Sequence, residues 1–311
     1  MSDFSHMAEK LNVRVGPGKN VPLGNPEKEL FPGFTKFQIL SYYVAAAPYI
    51  IPHLKQRPVS LKRFPNGVQG VAFWEKNAPA FTPDWVETFP VPRKMETGEI
   101  NYIMVNDVRT LAWCAAIAAI EFHPFLHKTR NLDRPTTIVY DLDPGEGTDI
   151  LNCAEVAFHL KNLLEGYKLK SFPKVSGSKG LQIYVPLNSP VTYAATRAFA
   201  RTTAQSLERE RPRLIVSDMS KARRQGKIFI DWSQNTDTKT TVGVYSLRAK
   251  QVTPYVSMPV AWEELKHALR VRNKSLLYFQ PDAALKRLAS LGDLYEPVLK
   301  LKQKLPKDVG T

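Results

Sequence analysis

The sequence has few cysteines, no long hydrophobic run and no hydrophobic signal segment. Only two of its 311 residues are cysteine. Cys114 and Cys153 lie in apolar surroundings without Cys-x-x-Cys spacing, which argues against a disulfide framework and against a zinc site. The longest apolar run, residues 111–120, is half of the ~20 residues that a membrane-spanning helix needs. We therefore expect a cytoplasmic protein that does not associate with membranes.

The sequence also lacks a polybasic tail, internal repeats and low-complexity segments, although it is strongly basic. Forty-three Lys and Arg residues against 29 Asp and Glu give a formal charge of +14 and a pI near 9.6. Such a charge indicates a polyanionic partner. Because the cations are spread along the chain and no long amphipathic basic helix is present, a folded surface that binds nucleic acid is favoured over a disordered arm or a membrane-surface protein.

The order of the predicted elements indicates an α+β (mixed α/β) fold, with central β-sheets flanked by helices. Residues 1–20 are polar and end near Gly16-Pro17-Gly18, which predicts a flexible leader before a single domain over 21–311. The patterns predict helices over 35–54, 108–120, 149–164 and 193–209, and strands over 59–64, 136–142, 172–176, 181–186 and up to residue 231.

Two carboxylates one position apart are the most informative feature of the chain. Asp141 and Asp143 follow a β-branched and aromatic run that reads as a buried strand, so they share one face, about 7 Å apart at Cα. Asp231 ends another apolar strand. If the two strands pair, three carboxylates could hold two hard cations for phosphoryl transfer. An isolated Asp-x-Asp is more simply an acidic strand end before a Pro-Gly turn.

A glycine-containing loop and nearby arginines could hold phosphates. Residues 176–180, Ser-Gly-Ser-Lys-Gly, lie between two predicted strands, where glycines allow backbone N–H groups to approach an anion. The segment does not match the P-loop pattern, and alone it would be a simple hairpin turn. Arg223, Arg224 and Arg248 lie near the Asp231 strand in sequence, although each could be a solvated surface charge.

Taken together, these segments resemble the polymerase domain of bacterial DNA ligase D, a branch of the archaeo-eukaryotic primase superfamily that acts in DNA end joining. The resemblance covers nearly the whole chain in the family's order and implies a primase-polymerase core with its active-site cleft between two β-rich lobes. It is carried by residues 24–28 (GNPEK), 57–63 (RPVSLKR), the Asp141/Asp143 strand, 176–180, 231–235 (DWSQN), 245–248 (YSLR) and 291–294 (LGDL).

The resemblance implies roles for individual residues of the site. Asp141, Asp143 and Asp231 would ligate two catalytic Mn²⁺ or Mg²⁺ ions. The residues implied to hold the incoming nucleotide are Lys62, His123, Ser176, Lys179, Gly180, Arg224, Gln234 and Arg248. On its own, His123 is equally a satisfied core histidine. The family's preference for ribonucleotides implies a contact to the 2′-OH.

The resemblance also implies contacts to DNA. Phe73 and Trp74 occupy the place of an aromatic pair that stacks on template bases, although alone they could be core aromatics. Asn25, Lys28 and Lys36 match a pocket for a 5′-phosphate at the far side of a gap, although each would also pass for a surface residue.

Two departures from the family pattern are visible. Gln182 stands where the family usually has histidine, and glutamine cannot carry charge near neutral pH, so phosphate affinity or its pH dependence should differ. The chain has no Lys-x-Asp-Gly ligase motif. We therefore expect a stand-alone, nucleoid-associated polymerase whose partners include a separate ATP-dependent DNA ligase and a Ku-like end binder.

The expected function is template-directed, metal-dependent addition of NTPs or dNTPs to a primer 3′-OH at gaps or broken DNA ends. A two-metal nuclease or phosphatase would also need clustered acids, but it has little use for a triphosphate pocket. Two further possibilities are a primase that starts synthesis without a 3′ end and a non-catalytic end-binding module.

Overall fold

The computed structural model describes residues 11–93 and 97–306, and within them the chain forms seven α-helices and eighteen β-strands. The helices are α1 Lys36–Leu54, α2 Val108–Ala116, α3 Ile150–Gly166, α4 Tyr193–Glu210, α5 Trp262–Arg270, α6 Pro281–Leu291 and α7 Glu296–Lys300. In the described part of the chain, no helix is long and apolar enough to cross a bilayer.

Most of the strands are short. They are β1 Leu11–Gly16, β2 Lys19–Leu23, β3 Glu29–Phe31, β4 Phe34–Thr35, β5 Pro58–Arg63, β6 Phe73–Glu75, β7 Thr88–Pro92, β8 Glu99–Met104, β9 Ala119–Pro124, β10 His127–Lys128, β11 Asn131–Pro135, β12 Thr137–Pro144, β13 Phe172–Val175, β14 Leu181–Pro186, β15 Ile215–Val216, β16 Ile228–Asp231, β17 Leu247–Arg248 and β18 Tyr255–Val256.

A five-stranded sheet with the order β13-β14-β12-β16-β15 forms one half of the fold, and we call it the central sheet. Its strands are antiparallel except for the β15–β16 pair. The face that bears Tyr140 packs on helices, because its hydroxyl hydrogen-bonds Thr203 of α4 at 2.7 Å and Cys153 of α3 donates to the Leu142 carbonyl. Asp141 and Asp143 therefore project from the opposite face of β12.

A second five-stranded sheet, with the order β6-β5-β8-β7 and β9 also paired to β5, forms the other half. Helix α1 packs beside it and begins at a capping box made by Thr35 and Gln38. The buried Tyr43 of α1 donates to the Ile120 carbonyl at 2.5 Å and accepts from the Leu247 N–H at 2.9 Å. This side chain fixes β9 and β17 relative to each other, and both strands carry candidate site residues.

The predicted leader is wrong over residues 11–20. Strands β1 and β2 form an antiparallel hairpin there, with Gly18 in the left-handed region at φ 65°. Val21 and Leu23 are fully buried, because alternate residues of β2 face the core. The Gly-Pro-Gly sequence is a hairpin turn, and the folded part extends to at least Leu11. Residues 1–10 of the predicted leader lie outside the described residues.

The predicted helix over 108–120 is wrong at its end. Helix α2 ends at Ala116, Ala118 takes φ 64°, and β9 begins at Ala119. Because both elements are largely buried, the run is uniformly apolar and its periodicity does not reveal where helix changes to strand. The other predicted helices and strands are present with ends shifted by no more than two residues.

Candidate active site

The pairing of β12 with β16 brings the three aspartates together. The strands are antiparallel, and Asp141 lies directly opposite Asp231 in their register. Directly opposed residues have Cβ atoms about 4.5–5.5 Å apart, and Asp143 follows on the same face two positions along β12. Asp143 is exposed, while Asp141 and Asp231 are half-buried. The strand pairing on which the sequence hypothesis depended is confirmed.

The three carboxylates repel one another. Burial, together with the charges of Asp143 and Asp231, raises the pKa of Asp141 to about 7. Asp143 is exposed as a residue, but its carboxyl group is surrounded by protein atoms, and this desolvation together with the charge of Asp231 raises its pKa, although Arg224 and Arg248 oppose this effect. The neighbouring cations therefore offset the negative charge only in part. A cluster of carboxylate oxygens with excess negative charge is the donor set that Mg²⁺ and Mn²⁺ prefer, so these residues fit a hard divalent cation.

Asp231 makes hydrogen bonds that a metal would have to replace. Its Oδ1 accepts from the Ser233 N–H and hydroxyl at 2.8 and 2.6 Å, and its Oδ2 accepts from Gln234 Nε2 at 3.0 Å. Within the described residues, no three or more His, Cys, Asp or Glu side chains form a group with metal-binding geometry. A cation that engaged all three aspartates would compete with Ser233 and Gln234 for Asp231.

The raised pKa of Asp141 predicts that Asp141→Asn stabilises the metal-free protein. The unfolded carboxyl has a pKa near 3.9, so between pH ~4 and 7 the folded state binds more protons and stability falls as pH rises. At pH 8 in EDTA, thermal unfolding should show the variant more stable by on the order of 2 kcal/mol, with little difference at pH 4. Added Mn²⁺ should stabilise the wild type more than the variant. A variant less stable than wild type at pH 8 would contradict this account.

The register of the central sheet places two further polar residues beside Asp141. Gln182 of β14 lies opposite Asp141, and Lys174 of β13 lies opposite Gln182. Gln182 donates to Thr241 at 3.1 Å, and its Oε1 has no partner among the described residues. Lys174 is fully buried and donates to Ser257 at 2.5 Å, and burial lowers its pKa well below the usual value. Sequence reasoning missed Lys174, because a lysine inside an apolar strand gives no signal that strand register brings it to the site.

The loop at residues 176–180 joins β13 to β14 beside the carboxylates. Ser176 Oγ accepts from the Ser178 and Gly180 N–H groups at 3.2 and 3.3 Å. A methyl group at Gly180 would lie 2.2 Å from the Leu142 carbonyl oxygen, and one at Gly177 would lie 2.7 Å from Arg248 Cγ. Both positions therefore require glycine, because neighbouring atoms come too close for a Cβ atom. Lys179 at the loop tip is exposed and can reach a ligand.

Glu121, a buried carboxylate on the second sheet, holds together the candidate site residues that lie on that sheet and on β17. Its Oε2 hydrogen-bonds His123 Nε2 at 2.8 Å and lies 3.5 Å from Arg248 Nε, while its Oε1 accepts from the Ala249 N–H at 3.0 Å. Burial opposes its ionisation, but the His123 hydrogen bond and the Arg248 charge lower the pKa of Glu121 to about 2. His123 has its own pKa lowered by burial. Sequence reasoning missed Glu121, since it directly follows the apolar run that predicted a helix over 108–120 and nothing local indicates that it reaches the site.

Lys62 and the aromatic pair Phe73 and Trp74 lie beside Glu121 and His123. Lys62 lies opposite both Glu121 and Trp74 in the second sheet, and its ammonium lies 5.6 Å from the Trp74 ring. The Trp74 ring meets the His123 ring edge to face at 4.8 Å. Phe73 and Trp74 are 50% and 53% exposed, which excludes the alternative that they are core aromatics. Their exposed faces can contact a ligand.

Arg224 and Gln234, the remaining residues implied to contact the nucleotide, lie near the aspartates but are bonded to other protein groups. Arg224 stacks on Phe229 at 3.6 Å and donates to the Met219 carbonyl, and its charge opposes the rise in the pKa of Asp143. Gln234 faces Asp231 rather than open space. Both therefore adjoin the aspartates, although Gln234 must turn to contact a nucleotide.

Asn25, Lys28 and Lys36 come together at the start of α1. The Lys28 N–H donates to the Asn25 carbonyl at 3.1 Å, and the Lys36 N–H donates to the Lys28 carbonyl at 2.8 Å. Burial and the charges of Lys28 and Arg63 lower the pKa of Lys36. These cations beside a helix N-terminus form a suitable place for an anionic group.

Comparison with known proteins identifies the family. The chain matches the family described as LigD, primase-polymerase domain, over residues 35–295. The chain belongs to the LigD primase-polymerase family. A solved polymerase domain from Mycobacterium tuberculosis ligase D, in complex with DNA, is 38% identical and superposes with a TM-score of 0.84 over 90% of this chain and 98% of that one.

LigD proteins of two other bacteria are also similar. The multifunctional non-homologous end joining protein LigD of Mycolicibacterium smegmatis is 38% identical over 90% of this chain, and the bifunctional LigD of Bacillus subtilis is 34% identical over 76%. The matches cover only 36% and 37% of those proteins. The mixed α/β fold is confirmed, and membership of the LigD primase-polymerase family makes the chain a nucleotidyltransferase. The family depends on divalent metal.

Proposed function

We propose that this chain is a template-directed nucleotidyltransferase that adds NTPs, with a preference for ribonucleotides, to a primer 3′-OH at gaps or broken DNA ends during end joining. The observation that carries this proposal is the register of β12 and β16, which sets Asp141 opposite Asp231 and beside Asp143. The names of the similar LigD proteins, which describe non-homologous end joining, support the same biological role.

In this proposal, Asp141, Asp143 and Asp231 hold the divalent ions, Mn²⁺ or Mg²⁺. When bound, such ions lower the pKa of an attacking 3′-hydroxyl and neutralise charge on the triphosphate. The protein itself brings three mutually repelling carboxylates together on one face of the sheet. This lowers the stability of the metal-free protein, as the raised pKa of Asp141 indicates.

The incoming triphosphate would lie between the two sheets. On one side, Lys179 at the tip of the 176–180 loop would reach it, while the Ser178 and Gly180 N–H groups of that loop are already bonded to Ser176 Oγ. On the other side, Lys62 and Arg248 supply positive charge, and Glu121 fixes the orientation of Arg248 and His123. These groups come from both sheets and from β17, so folding pre-organises the pocket. Arg224, Gln234 and His123 complete the set, with a contact to the 2′-OH accounting for ribonucleotide preference.

Trp74 should provide a stacking platform for the template. Stacking of a base on an aromatic ring is worth ~1–3 kcal/mol and tolerates any sequence. Trp74→Ala should therefore weaken binding of gapped DNA roughly 5- to 150-fold in a fluorescence anisotropy titration. Phe81→Ala is the matched control, because Phe81 is also an exposed aromatic, at 59%. Equal losses in both variants, or none in Trp74→Ala, would count against the platform.

The cations at the start of α1 would bind the 5′-phosphate at the far side of a gap. This role for Asn25, Lys28 and Lys36 fits the surroundings of Lys36, whose pKa is lowered mainly by burial and further by the charges of Lys28 and Arg63. A separate ATP-dependent ligase and a Ku-like end binder would complete the repair reaction, since polymerisation alone leaves the nick unsealed.

A single assay tests the proposal against its rivals. Labelled gapped DNA is incubated with Mn²⁺ or Mg²⁺, with NTPs, with dNTPs or without nucleotide, and with or without a downstream 5′-phosphate. We expect lengthening only with nucleotide, faster with NTPs and stimulated by the 5′-phosphate. Shortening without nucleotide would identify a nuclease, and synthesis on unprimed template would identify a primase. Binding of the gap without any extension would identify an end-binding module.

A further inference from the structure

A second strongly basic cleft opens at the opposite end of the central sheet. It has a volume of about 300 Å³, and none of its lining residues is acidic. We call it the basic pocket, and its cations are Lys128, Arg130, Arg134, Lys300 and Lys302. The other lining residues include Asn188, Ser189 and Pro190, and no aromatic side chain is among them.

The basic pocket is separate from the carboxylate site. Thr136, which lines it, immediately precedes β12, and Thr137 is four residues from Asp141, which corresponds to about 13 Å along an extended strand. Its walls are the β10–β11 hairpin, the turn after β14, and the end of α7 with the chain that follows it. None of the residues implied for metal, nucleotide, template or 5′-phosphate lines it.

Buried hydrogen bonds hold the walls in place. Arg57, which is buried, donates to the Leu126 carbonyl and to Thr136 Oγ1, each at 2.7 Å. The Asn188 side chain donates to the Val298 and Leu301 carbonyls at 3.0 and 2.9 Å. The hairpin and the C-terminal segment are therefore both fixed in place by hydrogen bonds within the protein.

The positive charge of the basic pocket is largely uncompensated. Among the described residues, Lys128, Arg130, Arg134 and Lys302 have no hydrogen bond or ion pair from their side chains, while Lys300 pairs with Glu296. Burial, followed by the charges of Arg57 and Arg130, lowers the pKa of Lys128. Arg57 adds a further charge beneath the pocket, bonded only to neutral acceptors. Binding of an anion would relieve this repulsion.

We propose that the basic pocket binds backbone phosphates of a DNA arm that extends from the active site. This rests on the proposed function. Five cations on two segments exceed the charge of one small phosphate, whereas duplex DNA presents a charge about every 1.7 Å. The lack of an aromatic ring gives a nucleotide base nothing to stack on, so the pocket suits the backbone rather than a free nucleotide.

The test compares DNA arms of different length. At about 3.4 Å per base pair, an arm of three base pairs ends before the pocket, while one of twenty extends past it. Gapped substrates with hairpin-closed short arms or with long arms are titrated by fluorescence anisotropy at several salt concentrations. The test variant is Lys128→Gln/Arg130→Gln/Arg134→Gln, and primer-side and far-side arms are lengthened separately.

The control variant Arg209→Gln/Lys266→Gln/Lys286→Gln removes the same charge from positions that do not line the pocket. We expect the test variant to bind one long-arm substrate roughly tenfold more weakly, with a salt slope smaller by about 0.9 for each phosphate that the protein no longer neutralises. Short-arm binding, extension of short-arm primers and thermal unfolding should match the wild type. The control variant should keep long-arm binding within about twofold.

Three results would overturn the proposal. Equal weakening in the control variant would indicate a general effect of net charge. Weakening that is independent of arm length would also exclude a distal contact. Protection of the wild type, but not of the test variant, by inorganic pyrophosphate in thermal unfolding, without an arm-length effect, would identify a small-anion site. Because binding is measured without nucleotide, failure here is distinguishable from failure of the proposed polymerase activity, which would appear as no extension by the wild type.

Discussion

Replacing Asp141 and Asp143 together with alanine should reduce extension of a gapped primer by at least about 10³-fold while leaving DNA binding nearly unchanged. Both carboxylates lie on the face of β12 opposite the α3 and α4 packing. Removing one pre-organised electrostatic group from an active site costs about 10²–10³ in rate, and here two are removed. Single-turnover extension with Mn²⁺ and anisotropy with the same gapped DNA measure the two effects separately.

The fold should survive this change, because the raised pKa values show that these carboxylates destabilise the metal-free protein. Asp84→Ala/Glu99→Ala is the matched control, since it removes two carboxylates elsewhere. Extension at the wild-type rate in the Asp141/Asp143 variant would refute the assignment of the site. If the variant lost both DNA binding and extension, the aspartates would be needed to bind DNA, and their effect on extension would not show that they hold metal.

The sequence predicted the site best where local chemistry and strand pattern agree. Asp141 and Asp143 lie in the second half of a strongly apolar strand and Asp231 ends another, so both the strands and their acidic residues were visible. Strand register was not visible in the sequence. Gln182 and Lys174 adjoin Asp141 only because β12, β14 and β13 pair as they do, and no local pattern encodes this.

Some motif residues serve the fold rather than the ligand. Asn235, in the Asp231 motif, is buried and uses its side chain to pair with both the N–H and the carbonyl of Val139, as a further strand residue would. Asp293 accepts from the Tyr245 hydroxyl at 2.5 Å and bonds His53 at 2.8 Å, which ties α1 to the segment before β17. Sequence alone does not separate such supports from ligand contacts, since both are polar residues beside the site.

Glu121→Gln should raise the KM for NTP and lower kcat/KM roughly 10- to 150-fold, because a hydrogen bond to a charged group is worth about 1.5–3 kcal/mol. The buried carboxylate joins His123, Arg248 and the Ala249 N–H, so neutral glutamine leaves the Arg248 charge uncompensated beside the pocket. If Glu121 only supported the fold, stability would fall while KM stayed constant. Glu264→Gln provides that comparison, since its partner Arg287 lies on α6, away from the aspartates.

The pH dependence of stability supplies an independent readout of the same network. The pKa of Glu121 is lowered to about 2 in the folded protein, so its ionised form contributes stability above the unfolded value near pH 4.3. That contribution is lost as the pH falls from about 4 towards 2. Thermal unfolding should therefore show wild type more stable than Glu121→Gln at pH 7, with the difference shrinking at pH 3. An unchanged KM together with a pH-independent stability difference would mean that Glu121 neither carries charge in the folded state nor positions Arg248.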